Sequence, residues 1–258
     1  MSAREGPIWS RAPAAAVPAG DAWLGPPERQ VLAGLHVVKR RDDWRLGRLV
    51  AKHLVAARTG IPWTEVEILA APDGAPEPWH GEERLPWSLS FSHRAGWAAA
   101  ALSPAPMVVG CDLEVVEPRS DAFVAEWLAP PEQALVRAAP DARSQAVLAN
   151  LAWTGKEAAA KVLREGLRLE VRRTEVSVPG GLDAVVGEVD HPTGTWLPIE
   201  VHCHHEQVGY RGFWRLDDDL VLTVLSEPAA TDPPRLVGDD RRSSRFALDL
   251  RTKPADEA

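Results

Sequence analysis

At 258 residues and 45% hydrophobic content, the chain can bury one large core or two small lobes. A formal net charge of −8 excludes a generally basic, nucleic-acid-binding surface, though not a local basic pocket. With 2 cysteines, Cys111 and Cys203, there is no disulfide framework, and a reducing cytoplasm fits.

Residues 1–20 are rich in Ala and Pro and are expected to be disordered. Pro13 and Pro18 interrupt the only early stretch that could resemble a secretion signal. A helix is predicted from about Ala33 or Asp42 to Arg58, with Leu46, Leu49, Val50, Leu54 and Val55 near helical spacing. Gly60 and Pro62 stop it. Residues 66–70 alternate as a short strand, and 72–86 reads as a turn-rich surface loop. Two strands, around 89–92 and 97–102, flank a turn at 93–96, and a further strand is predicted over 107–116. The apolar run 97–110 is broken by Pro104 and Pro106 and is too short to span a bilayer, so a soluble, cytoplasmic chain with no membrane partner is expected.

Helical patterns follow over 123–128, 131–138 and 144–165, the second opening on Pro130-Pro131-Glu132, since proline is tolerated in a first turn. Strands are expected at 175–178, 184–189, 196–202 and 220–225, with Asp217-Asp218-Asp219 in a hairpin loop. Beyond 227 the chain reads as a loosely held tail, in which Phe246-Ala247-Leu248 could dock back. The order of elements gives an α+β class. No sequence repeat between the halves stands out.

Two short motifs carry most of the chemistry. Gly110-Cys111-Asp112-Leu113-Glu114 lies in a predicted strand, so Asp112 and Glu114 share one face, with Cβ atoms roughly 6–7 Å apart. Trp153-Thr154-Gly155-Lys156-Glu157-Ala158-Ala159-Ala160-Lys161 reads as a helix in which Glu157 and Lys161 stack at i and i+4. Three carboxylates and an ammonium suit a hard divalent cation that holds phosphate. The plain alternative is a solvated edge strand and a surface ion pair, with Lys156 the better candidate for such a surface role. Upstream, Ser90-Phe91-Ser92-His93-Arg94 adds hydroxyls, a histidine and a cation, and the helix around 39–52 carries the one concentrated basic stretch before these motifs. His202-Cys203-His204-His205 invites a metal reading, but adjacent strand residues face opposite ways.

Taken in order, SFSHR, GCDLE and WTGKEAAAK resemble the Sfp-type 4′-phosphopantetheinyl transferases, over about Leu35 to Ser226. The resemblance implies a pseudo-dimer of two similar α/β lobes, here 21–105 and 106–227, followed by a tail at 228–258. It implies transfer of phosphopantetheine from coenzyme A to a serine of an apo acyl, polyketide or peptidyl carrier protein, by a monomer using Mg2+. The metal ligands would be Asp112, Glu114 and Glu157. Glu157, Lys161 and His93 would be catalytic. Arg40, Arg41, Arg48, Lys52, Ser92, His93 and Lys161 would hold coenzyme A. Helical residues 123–137 would meet the carrier, and Gly166 would end the long helix. One departure is Gly74-Ala75-Pro76, where the family often has Gly-Lys-Pro. An inactive relative that binds coenzyme A or carriers is the alternative.

Overall fold

The computed structural model describes residues 6–164, 171–191 and 194–237. Gly166 and the Phe246-Ala247-Leu248 segment lie outside them. In chain order the elements are β1 (Ile8–Pro13), α1 (Pro26–Ala33), α2 (Val38–Thr59), β2 (Val66–Ala70), β3 (Pro76–His80), β4 (Glu83–Arg84), β5 (Trp87–Arg94), β6 (Trp97–Pro104) and β7 (Val108–Val115). Then come α3 (Asp121–Trp127), α4 (Pro130–Ala138), α5 (Ala142–Leu163), β8 (Thr174–Ser177), α6 (Gly181–Asp190), β9 (Leu197–Cys203), β10 (Val208–Asp217), β11 (Leu220–Glu227) and β12 (Arg235–Leu236). The class is α+β. Among the described residues no helix is long and apolar enough to cross a membrane.

Three sheets form, ordered β12-β1-β6-β5, β7-β11-β10-β9-β8 and β2-β3-β4. In the first half α2 buries Leu46, Val50, Leu54 and Val55 against Leu89, Ala98, Ala100 and Leu102 of the first sheet. In the second half α5 buries Val147, Leu151, Ala158 and Val162 against Ile199, Val201, Trp214 and Val221. A third cluster, with Trp9, Ala99 and Ala101 on one side and Val109, Cys111, Leu113 and Leu222 on the other, joins the halves. There the edge strands β5 and β7 lie side by side, stitched by side chains. The Ser88 hydroxyl accepts from Val109 N–H (3.0 Å), Ser90 accepts from Cys111 N–H (2.9 Å), and Ser92 donates to Asp112 Oδ1 (2.7 Å). Alternation puts all three hydroxyls on one face of β5, where Ser88 and Ser90 satisfy N–H donors that an open edge would leave bare.

Several expectations are corrected. Residues 8–13 are not disordered: Ile8–Pro13 pair antiparallel with β6 because Trp9 and Ala12, each 2% exposed, anchor an otherwise Ala/Pro-rich segment. The start of the presumed tail also docks, since Arg235 and Leu236 pair in parallel with β1. The 72–86 loop contains β3 and β4, and Pro76 and Pro78 of β3 precede the two residues, Trp79 and His80, that pair with β4. The valine-rich 184–189 segment is helical within α6, burying Val185 and Glu188 on one face, so tertiary burial overrides β propensity. β10, absent from the sequence reading, pairs with both β9 and β11.

The halves do share a sequence pattern, and the structure exposes it. Trp23-Leu24-Gly25-Pro26-Pro27-Glu28 recurs as Trp127-Leu128-Ala129-Pro130-Pro131-Glu132, each followed at the same interval by a 22-residue helix. Glu28 Oε2 accepts from the Gly25 N–H at the start of α1 (2.9 Å), Oε1 accepts from Ile68 N–H (3.0 Å), and Lys52 Nζ sits 2.6 Å from Oε2. Glu132 repeats this with Ala129 N–H (2.6 Å), Val176 N–H (2.7 Å) and Lys156 (2.7 Å). Lys52 also donates to Trp23 O (3.1 Å), and Lys156 to Trp127 O (3.0 Å). Both lysines are interior, at 0% and 1% exposure. Lys156 is therefore no surface partner, and Lys52 is structural.

Candidate active site

The site forms where α5 crosses β7 beside the seam. Gly110 makes the crossing possible: a Cβ there would lie 2.0 Å from the Ala158 carbonyl oxygen. Gly155 does the same against Val176, at 2.8 Å. A buried hydroxyl pair, Thr154 and Thr223 (2.8 Å), ties the helix to β11 opposite Asp112. Odd residues of β7 enter the joint core, so Gly110, Asp112 and Glu114 face α5. Cys111 behaves as the small buried hydrophobe expected of it, and burial pushes its thiol up to about 12.

Asp112 is held through one oxygen. Its Oδ1 accepts from Ser92 (2.7 Å) and Lys161 (2.8 Å), while Oδ2 is buried with no hydrogen-bond partner among the described residues. Lys161 spends its other donors on Cys111 O (2.8 Å) and Phe91 O (3.4 Å), fastening α5 to β7 and β5 at once. Burial works against that ammonium, but Asp112 and its hydrogen bond outweigh it and hold the pKa above the ordinary lysine value. Glu114 receives Arg119 (3.0 Å) and Arg94 (3.3 Å) on Oε2. Glu157 makes no hydrogen bond or ion pair among the described residues. Burial, then Asp112 and, behind it, Glu114 push its carboxyl above the usual range, against the pull of Lys161. Burial and Asp112 push Glu114 up in the same way, opposed by the two arginines.

The orphaned Asp112 oxygen and an unpaired Glu157, raised by burial and by Asp112, leave the Asp112–Glu157 side of the cluster short of positive charge. That chemistry fits a hard cation such as Mg2+, and Asp112, Glu114 and Glu157 are the side chains that would hold it. The fit is not a finished cage. Among the described residues no three His, Cys, Asp or Glu side chains are arranged to hold a metal as they stand. Lys161, Arg94 and Arg119 engage two of the three acids. His202 and His204 face each other, ring centroids 4.4 Å apart, while Cys203 points into the core, so that cluster forms no metal group either.

His93 follows Ser92 to the end of β5, with Nδ1 3.9 Å from Asp43 of α2. Burial, with Lys161 and Lys39 adding to it and Asp43 opposing, lowers its pKa, so the free imidazole is neutral at neutral pH. The basic candidates on α2 divide. Arg40 is exposed. Arg41 donates to Leu32 O (3.4 Å) and Leu35 O (3.3 Å) at the end of α1. Arg48 lies 3.8 Å over Trp44 and 5.7 Å from the Phe91 ring, and burial brings its pKa down to about 10. Lys52, locked on Glu28, does not reach a ligand; this expectation is corrected, because a helix position that looks basic along the chain turns out to face the core.

A cleft of about 550 Å³ runs from this cluster along β5, walled by Gly74, Ala75, Pro76, Phe91, Val108 and Lys161. Arg164 pairs with Asp73 (2.7 Å) and Arg84 with Glu77 (3.1 Å) at its rim. The sequence reading missed Arg119, whose Nε donates to Asn150 Oδ1 (2.8 Å), and Asn150 itself, whose amide donates to Glu117 O (2.8 Å). The available signal was a lone asparagine in an apolar helix, two turns before Glu157. Trp153 packs edge-on with Phe123 (5.5 Å) and Trp127 (5.6 Å) beside the site.

The family comparison covers this ground. Residues 108–222 match the description "4′-phosphopantetheinyl transferase superfamily", ACPS. The matched stretch contains Asp112, Glu114, Glu157 and Lys161, whereas Ser92 and His93 come to the site from outside it. No curated protein matches the chain. Among solved structures, the Thermotoga maritima holo-[acyl-carrier-protein] synthase is similar at 21% identity and TM-score 0.31, covering 48% of this chain and 74% of that one.

Proposed function

We propose that the chain is an Sfp-type 4′-phosphopantetheinyl transferase, moving phosphopantetheine from coenzyme A to a serine of an apo acyl, polyketide or peptidyl carrier protein. The observation that carries the reading is Glu157, raised and unpaired, facing Asp112 and Glu114 within the stretch that matches the transferase superfamily, with Lys161 joining this cluster to the cleft. The repeated Trp-Leu-x-Pro-Pro-Glu unit supports a pseudo-dimer of two related lobes, with lobe boundaries near 105 and 227.

In this mechanism the cleft takes coenzyme A with its diphosphate toward Asp112. Mg2+, when held by Asp112, Glu114 and Glu157, would supply charge neutralisation at the diphosphate. His93, at the end of β5, donates an N–H to phosphate oxygen, and Lys161 keeps Asp112 aimed. Arg40, Arg41 and Arg48 lie on α2, whose Asp43 sits 3.9 Å from His93, and supply the field for the 3′-phosphate. Glu157 accepts the proton of the carrier serine as its Oγ bonds to the phosphorus bearing the pantetheine arm. The bond from that phosphorus to the bridging oxygen breaks, and 3′,5′-ADP leaves. Positioning and charge stabilisation supply most of the rate.

The second reading is a protein that binds coenzyme A or carriers without transfer. It is favoured by Ala75 standing on the cleft wall where the family often has lysine. Incubation with Mg2+, coenzyme A and apo carriers, followed by intact-mass measurement, separates the two. A carrier heavier by one phosphopantetheine is the expected result. Stable complexes with unchanged carrier mass across an acyl, polyketide and peptidyl panel would overturn it.

A further inference from the structure

Two arginines share one carboxylate oxygen at the site, and they are held very differently. Arg119 is 14% exposed; its Nε is fixed by Asn150 (2.8 Å) and its guanidinium lies 4.8 Å from the Phe123 ring. Arg94 is 41% exposed and ends β5, immediately before a turn in which Ala95 and Gly96 both take positive φ, 48° and 77°. Its side-chain partners among the described residues are Glu114 Oε2 and Glu117 Oε1 alone. It reaches them from the first half of the molecule, next to His93.

We propose that Arg94 is an exchangeable counter-ion: it neutralises Glu114 in the empty site and moves to the substrate diphosphate once a divalent cation takes Glu114. The inference rests on the transferase reading above. Glu114 Oε2 already carries two guanidinium contacts, so a divalent ion beside it makes the local charge excessive. Arg119 cannot leave without stranding the buried Asn150 amide oxygen. Arg94 can, because solvent covers much of its length and its fork fits two phosphate oxygens. The vacated charge is thereby delivered where the leaving group develops.

The two roles have opposite signs, which a structural role cannot imitate. Arg94→Ala should bind Mn2+ severalfold more tightly than wild type without nucleotide, read by electron paramagnetic resonance of the free ion. The same variant in saturating Mg2+ should bind coenzyme A about tenfold more weakly or worse by calorimetry, as expected for a lost charge-assisted pair. Arg94→Lys should restore part of the coenzyme A affinity, and a thermal melt should show the fold intact. Unchanged or weakened Mn2+ binding in Arg94→Ala, or unchanged coenzyme A binding, overturns the exchange. A wild-type protein that binds Mn2+ and coenzyme A yet modifies no carrier defeats the transferase reading and leaves the Arg94 measurements readable. A wild-type protein that binds neither defeats both.

Discussion

The two halves of the molecule carry the same buried frame and different chemistry. In each, a Trp-Leu-x-Pro-Pro-Glu segment starts a short helix, its glutamate receives an interior lysine from a 22-residue helix, and the lysine returns a bond to the tryptophan carbonyl. One residue beyond that lysine the halves part. The second half presents Glu157 to Asp112 and Glu114. The first presents His53, which stacks on Trp63 at 4.5 Å and whose pKa burial lowers to about 4. Four residues further on, Lys161 answers to Ala57. A common scaffold thus fixes where a helix lies, and a few side chains on one face decide whether the place is a site.

The comparison is broken most sharply by exchanging the diverged position. Glu157→Gln should lower carrier modification by about 10²–10⁴-fold, the scale of a lost general base, in a mass assay, while His53→Gln leaves it within a few-fold. Near-normal transfer by Glu157→Gln would remove Glu157 from the mechanism. The shared frame predicts symmetry instead. Lys52→Met and Lys156→Met should each cost about 3–5 kcal/mol in urea denaturation, since each strands a buried carboxylate. A large cost in one half with none in the other would show the two frames to be unequal. Gly6, at the matching position of the first half, would bring a Cβ no closer than 3.4 Å to its neighbours, so Gly110→Ala perturbs the second half alone. It should cost about 1–3 kcal/mol by overpacking, and because it lifts α5 off β7 it should also raise the Mg2+ concentration needed for transfer.

The smallest effect concerns pH. The folded pKa of Glu157 is raised, so its contribution to stability is full below the unfolded value and is lost as pH rises through the folded one. In chelator at neutral pH, Glu157→Gln should therefore melt a few degrees above wild type, and the difference should vanish under acid conditions. Added Mg2+ should raise the melting temperature of wild type more than that of the variant, because binding to the native state alone stabilises it. Equal shifts would separate Glu157 from the cation.

Legibility in the sequence followed locality. Asp112 with Glu114, and Glu157 with Lys161, were readable because strand and helix periods fix their neighbours within a few positions. That Lys161 spends its protons on Asp112 and on Cys111 and Phe91 carbonyls depends on how α5 crosses the seam, which no period encodes. Lys52 illustrates the opposite error. A basic helix face looked like a phosphate grip, yet the angle of one residue sends its ammonium to Glu28. The repeat was present in plain letters as Trp-Leu-x-Pro-Pro-Glu, and its lesson was hidden because its energetic core is a pair of charges where apolar periodicity is usually sought. β1 was lost for a similar reason: a single tryptophan outweighed a composition typical of disorder.

The junction between β5 and β7 has a consequence for how a bulky nucleotide enters. Continuous sheets part only by surrendering ladders of main-chain bonds. At this boundary the polar links are the hydroxyls of Ser88, Ser90 and Ser92 and the ammonium of Lys161, set over the shared apolar cluster, and water can replace the hydroxyls' partners one at a time. Small adjustments at the cleft wall can therefore be absorbed by three short side chains, with neither sheet having to unravel.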